Sequence, residues 1–427
     1  MIRRSILLFL GLFIGFVALG LILGAPYTTL LLVQSLAFAL IALGLNIQWG
    51  YGGLFNFGIM GFLMVGGFAV TFVSAGYNPA FWSSEGPMML ARAVLAFAAG
   101  MVLVIGARQS HRIGIRGGWK TALIIIAWAI GYAIYRSQID PAARYIEEHS
   151  EWIGGLALHP LLGWAFGGLL AAGIAYVIGR ICLGLRTDYL AIATIGISEI
   201  IRALLKNMDW LTRGTRTAFP IPWPVPTTEV FQSQGVSSSS SFVYARLGFL
   251  GVVAAALLIV LFLVQRAYGG PWGRMMRAIR DNYIAAGSMG KNVTARQLEI
   301  FILGSVLIGI GGAMLVTFQQ IYDPGAYQPI NHTFLIWVMV IVGGAGNNWG
   351  AVFGAILIYV TWIISDPLAQ ALFGWISQRT TDFGWGAIPE LESRASQMRV
   401  LVLGVVITIA LRFAPRGLIP EVVRRDA

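Results

Sequence analysis

Residues 273–293 read GRMMRAIRDNYIAAGSMGKNV. They stand between two long apolar runs, LGFLGVVAAALLIVLFLVQR at 247–266 and a second at 297–319. At helical spacing Arg274, Arg277, Arg280 and Asp281 fall on one side, and Met276, Ile279, Tyr283 and Ala286 on the other. A basic amphipathic helix of this kind adds no spanning element. It lies on a membrane surface, either pressed into a soluble partner or resting on anionic lipid, and its periodicity leaves both readings open.

The apolar runs recur in both directions from this segment. The 427 residues are 57% hydrophobic and 11% charged, with a mean hydropathy of +0.77. A soluble domain carries roughly 25% charge. Twelve apolar segments stand out, at 5–24, 29–49, 54–73, 88–106, 119–136, 161–179, 188–206, 247–266, 297–319, 331–345, 349–365 and 399–413. Runs of about 18 residues or more cross a hydrocarbon core of about 30 Å as helix, and these runs lack the alternation of a barrel strand. The expected fold is an all-α polytopic membrane protein, one transmembrane domain over 1–427 with about 10–12 transmembrane segments. Met1 to Gly24 opens with Arg3 and Arg4 and then stays apolar, longer than the roughly 7–15-residue core of a cleaved signal, so an uncleaved first span is expected.

Threading the segments alternately puts both termini on one side. With them go Arg3 and Arg4, the loop RQSHRIGIRGGWK at 108–120, Arg180, Arg186, the segment 268–293, and a tail with Arg412, Arg416, Arg424 and Arg425. That side holds most of the Lys and Arg, so it is expected to be cytoplasmic. The formal charge of +11 is then a topology signal, and nucleic acid is not an expected partner. The acidic stretch 137–160 and two longer stretches, 207–246 with FPIPWPVPTTEV and GVSSSSSF, and 366–398, are expected as external loops. The single cysteine, Cys182, excludes an internal disulfide, and His111, His149, His159 and His332 lack ligand-like spacing, so no metal site is expected.

Two glycine-rich stretches interrupt the membrane pattern, GYGGLFNFGIMGF at 50–62 and GGAGNNWGAVFGA at 343–355. Glycine permits bends, unwinding and close helix approach. Unwound backbone at membrane depth needs protein or a water-lined cavity around it, and paired breaks mark translocation pathways. Asn56, Phe57 and Gly58 in the first break, and Gly343, Gly344 and Asn347 in the second, are the candidate pathway residues. Tight turns at the membrane surface would use the same glycines. Glu199 and Arg202, three apart on one helix face, can pair within 188–206; they would either line the pathway or join an interfacial helix to the external loop.

Together these motifs resemble the LivM-type permease subunit of branched-chain amino acid ABC importers. Four stretches carry the likeness in the family's order: GYGGLFNFGIMGF, GLRTDYLAIATIGISEIIRALLKN at 184–207, GGPWGRMMRAIRDNYIAAGSMGKNV at 269–293, and FLIWVMVIVGGAGNNWGAVFGAIL at 334–357. The resemblance implies an inner-membrane permease with a LivH-like second membrane subunit, two cytoplasmic ATPases and a periplasmic solute-binding protein, alongside membrane lipid. It implies that 268–293 is a cytoplasmic coupling loop docking on the ATPase through Arg274, Arg277, Ile279, Arg280, Tyr283, Ala285, Ala286 and Gly290. IAAGSMG at 284–290 is similar to the family's Glu-Ala-Ala-x-x-x-Gly core, with Ile284 where the acidic residue stands. Residues 88–136 look like an inserted pair of spans. No GxxxxGK[ST] stretch is present, so ATP and Mg are expected on the ATPases, with no cofactor and no enzymatic activity here. The implied cargo is leucine, isoleucine or valine; related permeases carry urea, amides or aromatic acids. An ion-coupled secondary transporter would share the broken helices but has no use for a coupling loop. A membrane enzyme would need more clustered chemistry than the Glu199–Arg202 pair.

Overall fold

The computed structural model describes residues 2–110, 117–214, 216–218, 220–384 and 390–421. Part of the basic loop at 108–120, including His111, and the tail arginines 424 and 425 lie outside them. Seventeen α-helices follow in order: α1 (Ile2–Leu23), α2 (Ala25–Leu45), α3 (Ile59–Ser74), α4 (Pro79–Trp82), α5 (Gly86–Arg108), α6 (Gly118–His149), α7 (Pro160–Cys182), α8 (Thr187–Asn207), α9 (Asp209–Thr212), α10 (Thr228–Ser233), α11 (Ser238–Gly269), α12 (Pro271–Asp281), α13 (Tyr283–Ser288), α14 (Val293–Gln319), α15 (Leu335–Gly343), α16 (Asn348–Asp382) and α17 (Leu391–Phe413). Among the described residues no strand forms; two isolated bridges, Tyr77–Gly155 and Ala218–Tyr322, tie loops at one end of the bundle. The chain is an all-α polytopic membrane protein.

Nine helices among the described residues are long and apolar enough to cross a bilayer. Three of the twelve expected segments differ. The segments 54–73 and 331–345 yield only the shorter apolar helices Ile59–Ser74 and Asn331–Gly343: the glycine break takes the start of the first, and the second opens with a wide π turn at Ile330–Phe334 and stops at Gly343. The segment 188–206 forms α8, whose apolar and polar residues lie on separate faces, and it does not join the nine.

The expected external stretches are more helical than their composition suggests. Ser237 caps α11 by accepting from Ser240 N, so the serine run is the first turn of a helix. In 137–160 helix α6 continues to His149, and in 366–398 α16 continues through Pro367 to Asp382 with α17 starting at Leu391. A proline removes one intrahelical bond, and the apolar residues Leu368, Leu372 and Trp375 keep helical spacing beyond it.

The core is α14 wrapped by α2, α3 and α7. Glycines let these backbones touch: a Cβ on Gly66 would strike Gly309 O, one on Gly44 would strike Gly304 O, and one on Gly312 would strike Leu63 O. Helices α5 and α6 pack on one another through Gly100 and Gly131 and meet the remainder mainly through α4 and α9.

Candidate functional site

The two glycine breaks meet. Helix α2 runs into a wide π turn over Asn46–Tyr51, and Gly53, at φ +67°, ends it. Chain 54–58 is then irregular before α3 begins. On the other side α15 stops at Gly343, Gly344 and Gly346 take φ of +122° and +79°, and α16 restarts one residue after Asn347. Asn347 is the N-cap, accepting from Trp349 N at 3.0 Å. A Cβ on Gly50 would collide with Asn46 Oδ1 and Gly346 N, so the elbows are in backbone contact.

A buried amide chain stitches them. Asn46 accepts from Gly346 N at 2.8 Å and donates to Asn348 Oδ1 at 3.1 Å, and Asn348 donates to Gln265 Oε1 at 2.9 Å. Gln48 donates to Phe301 O and Ser305 Oγ and accepts from Asn56 Nδ2 at 2.8 Å. Inside a membrane each such group needs a protein partner. Leucine at Asn46 would strip partners from Gly346 N and Asn348; a cost of about 1–3 kcal/mol is expected, read as a lowered melting temperature of the detergent-purified chain.

The expected pathway residues fall into two groups. Asn56 is fully buried, its amide spent on Gln48 and on accepting from Gly58 N at 2.8 Å. Its polar atoms pin the break. Phe57 stacks on Trp337 with ring centroids 4.5 Å apart, and Trp337 donates to Asn56 O at 3.1 Å. Trp49 and Phe55 complete this half-buried aromatic cluster. Helix α8 flanks it: Thr194 Oγ1 accepts from Phe57 N at 3.0 Å, and Thr194 O lies against Gly58. Glu199 and Arg202 pair at 3.1 Å on the same helix, both half-buried. Gly343, Gly344 and Asn347 belong to the second group, where the C-terminal segment docks. Leu418 N and Ile419 N donate to Val342 O and Gly343 O, both at 2.9 Å, and Asn347 Nδ2 donates to Pro420 O at 3.1 Å.

The segment 273–293 is two helices where one was expected. Asn282, at φ −155° and ψ 94°, ends α12 and caps α13 by accepting from Ala285 N at 3.0 Å. The bend turns Tyr283 off the face that buries Met276, Ile279 and Ala286. Two of the arginines expected on the docking surface turn inward. Arg280 Nη1 donates to Glu421 Oε2 at 2.9 Å and to Gly50 O, and its stem covers Gly53. Burial disfavours the Arg280 charge, but hydrogen bonds and charges from Glu421 and Asp281 outweigh it and hold the guanidinium above its ordinary range. Arg277 reaches Glu421 at 3.9 Å and Tyr268 O at 3.4 Å. Outward face Arg274, Ala285, Gly290 and the large apolar groups of Tyr283 at 61%, Ile284 at 65% and Met289 at 80% exposure. Gly290 turns the chain at φ +75° with open space around it. A single carboxylate, Glu421, thus links α12, the first break and the C-terminal segment. Sequence reading missed it because its partners are over a hundred residues away; Asn347 as an N-cap was legible in its asparagine just before a helical run.

The family described as branched-chain amino acid transport system / permease component matches residues 27–411. The high-affinity branched-chain amino acid transport system permease protein LivM of Escherichia coli is 27% identical over 59% of the chain and 56% of its own length, so the matched part spans little more than half of that relative. The probable LivM permease of Methanocaldococcus jannaschii is 23% identical over 59% of the chain and 67% of its length. A fructose import permease protein, FrcC of Rhizobium meliloti, is 27% identical over 40% of the chain and 46% of its length. No solved structure matches. With its glycine-hinged helices, its amphipathic helix pair and a family match over nearly its whole length, the chain belongs to the branched-chain amino acid transport permease family.

Proposed function

We propose that this chain is the LivM-type subunit of an ATP-driven importer of branched-chain amino acids, working with a LivH-like permease, two cytoplasmic ATPases and a periplasmic binding protein. The observation that carries the reading is α13. With the turn that follows, it presents Tyr283, Ile284 and Met289 away from the bundle, while α12 beneath it is bound to the glycine break by Arg280. An exposed apolar patch on an anchored mount is suited to receive a partner and pass on its movement. In this mechanism ATP closes the ATPases, α12 and α13 move together, and the contact of Arg280 with Gly50 carries the displacement into the elbow between α2 and α3. Phe57, Trp337 and the Glu199–Arg202 pair then line the route. The coupling side is cytoplasmic, with both termini there. Branched-chain amino acids fit walls of aromatic and aliphatic groups with backbone polar atoms at the break. Selection among them falls to the binding protein.

The test is co-purification from native membranes, followed by reconstitution with ATP. The ATPases and the second permease are expected with this chain, and leucine uptake is expected to stop without ATP. Uptake by the chain alone, or uptake that follows an ion gradient, would overturn the proposal. Ile284→Asp with Tyr283→Arg should abolish ATPase capture while the chain still inserts and melts as before, since both side chains point outward. Pull-down with tagged ATPase reads the loss, at least tenfold.

A further inference from the structure

A cavity of about 710 Å³ opens beside the coupling helix, between α1, the end of α11 and the C-terminal segment. Its polar lining includes Arg4, Arg277, Gln265, Asn347 and Glu421. Two guanidiniums face one carboxylate, and that carboxylate is already engaged by Arg280 at 2.9 Å, which leaves the cavity an excess of positive charge. Tyr268 also lines it. This side chain is only 5% exposed, and its hydroxyl has no hydrogen-bond partner among the described residues. A buried hydroxyl without a partner is the exception in folded proteins and asks for an external one. Phe9 and Trp349, which pack edge to face at 6.0 Å, form the apolar wall.

Leu418 is shared with a second space of about 400 Å³, a groove between α1 and α16 lined almost wholly by apolar groups. Gly11 and Gly15 form part of its floor, with nothing close to where a Cβ would stand, and Phe353 and Val360 form part of the far wall. From Leu7 to Leu19 the groove follows about 18 Å of helix, close to the depth of one leaflet at about 15 Å. A cationic, hydrogen-bonding head chamber at the membrane surface thus adjoins, at Leu418, an oily groove about one leaflet deep.

We propose that these two adjoining spaces together hold an anionic phospholipid of the leaflet on the coupling-helix side. Its phosphate meets Arg4 and Arg277, an oxygen of the head or ester region accepts from Tyr268, and one acyl chain lies along Gly11 and Gly15. The lipid then borders the Glu421 link to the coupling helix, so headgroup charge reaches the helix that carries Arg277. The proposal depends on the membrane-spanning fold and is independent of the cargo.

The full chain, purified into nanodiscs of phosphatidylglycerol and phosphatidylcholine in equal parts and then extracted into mild detergent, is assayed for retained lipid by mass spectrometry. Preferential retention of phosphatidylglycerol is expected. Arg4→Gln should lower that preference by about fivefold, while Tyr268→Phe, whose partner oxygen both lipids carry, and Gly11→Leu with Gly15→Leu, which fills the groove, should lower retention of both lipids. A photoreactive residue in place of Gly15 should form a lipid adduct. Equal retention of the two lipids, or no effect of Arg4→Gln and Tyr268→Phe, would overturn the proposal. So would an adduct at position 15 formed only with protein, which would assign the groove to a partner subunit. The two conservative variants keep the test decisive even if the leucine pair fails to insert.

Discussion

Valine at Gly50 is expected to leave no transport-competent protein. The glycine has no room for even one carbon beyond Cα, because Asn46 Oδ1 and Gly346 N occupy that volume. Neither can retreat, since those two atoms are bonded to each other at 2.8 Å and Asn46 also holds Asn348. Overpacking a tight core costs about 1–3 kcal/mol, and here the displaced groups include buried amides whose lost partners add about 1–3 kcal/mol. The two elbows would separate, and with them the Arg280 contact on Gly50 O. Uptake in reconstituted vesicles should fall to background, with the melting temperature lowered. Gly106→Ala is the control: nothing lies near its Cβ, and both readouts should stay unchanged. Normal uptake by Gly50→Val would show that the elbows need not touch.

Arg280→Gln is expected to separate ATP hydrolysis from transport. The variant keeps the exposed surface of α13, the proposed seat of the ATPase. It loses the ion pair to Glu421 and weakens the bond to Gly50 O, the direct link from α12 to the first break. With side chains 23% and 17% exposed, the pair lies between surface and buried cases, and its loss is expected to cost about 1–3 kcal/mol. Uptake per ATP hydrolysed should fall at least tenfold in the reconstituted importer. Glu421→Gln should act in the same direction, and the double variant should be no worse than the more severe single one, as befits two ends of one interaction. Strictly additive losses would show that Arg280 and Glu421 act apart.

Much of this was readable in the residues. Apolar runs give spans because a bilayer rewards length and hydrophobicity directly, and glycine clusters give breaks because glycine takes positive φ without strain and lets backbones touch. The turn at Asn282 was written locally too, as an asparagine three residues before Ala285, but it lay inside an apparently unbroken amphipathic period. What stayed hidden depends on distance along the chain. Arg280 looks like a surface arginine until Glu421 and Gly50 surround it. Those partners leave no trace in local periodicity. The growth of α16 beyond Ser365 was obscured by Pro367, which local rules treat as a stop.

The lengths of α6, α11 and α16 have a consequence for the outline of the molecule. They contain 32, 32 and 35 residues, and so extend about 48–52 Å against a hydrocarbon slab of about 30 Å. Leaning by about 20° shortens the crossing by only a few ångströms. Roughly three turns of each must therefore stand in the headgroup layer or in water. The protein carries a raised parapet, and a visitor from the solvent touches it before it reaches lipid.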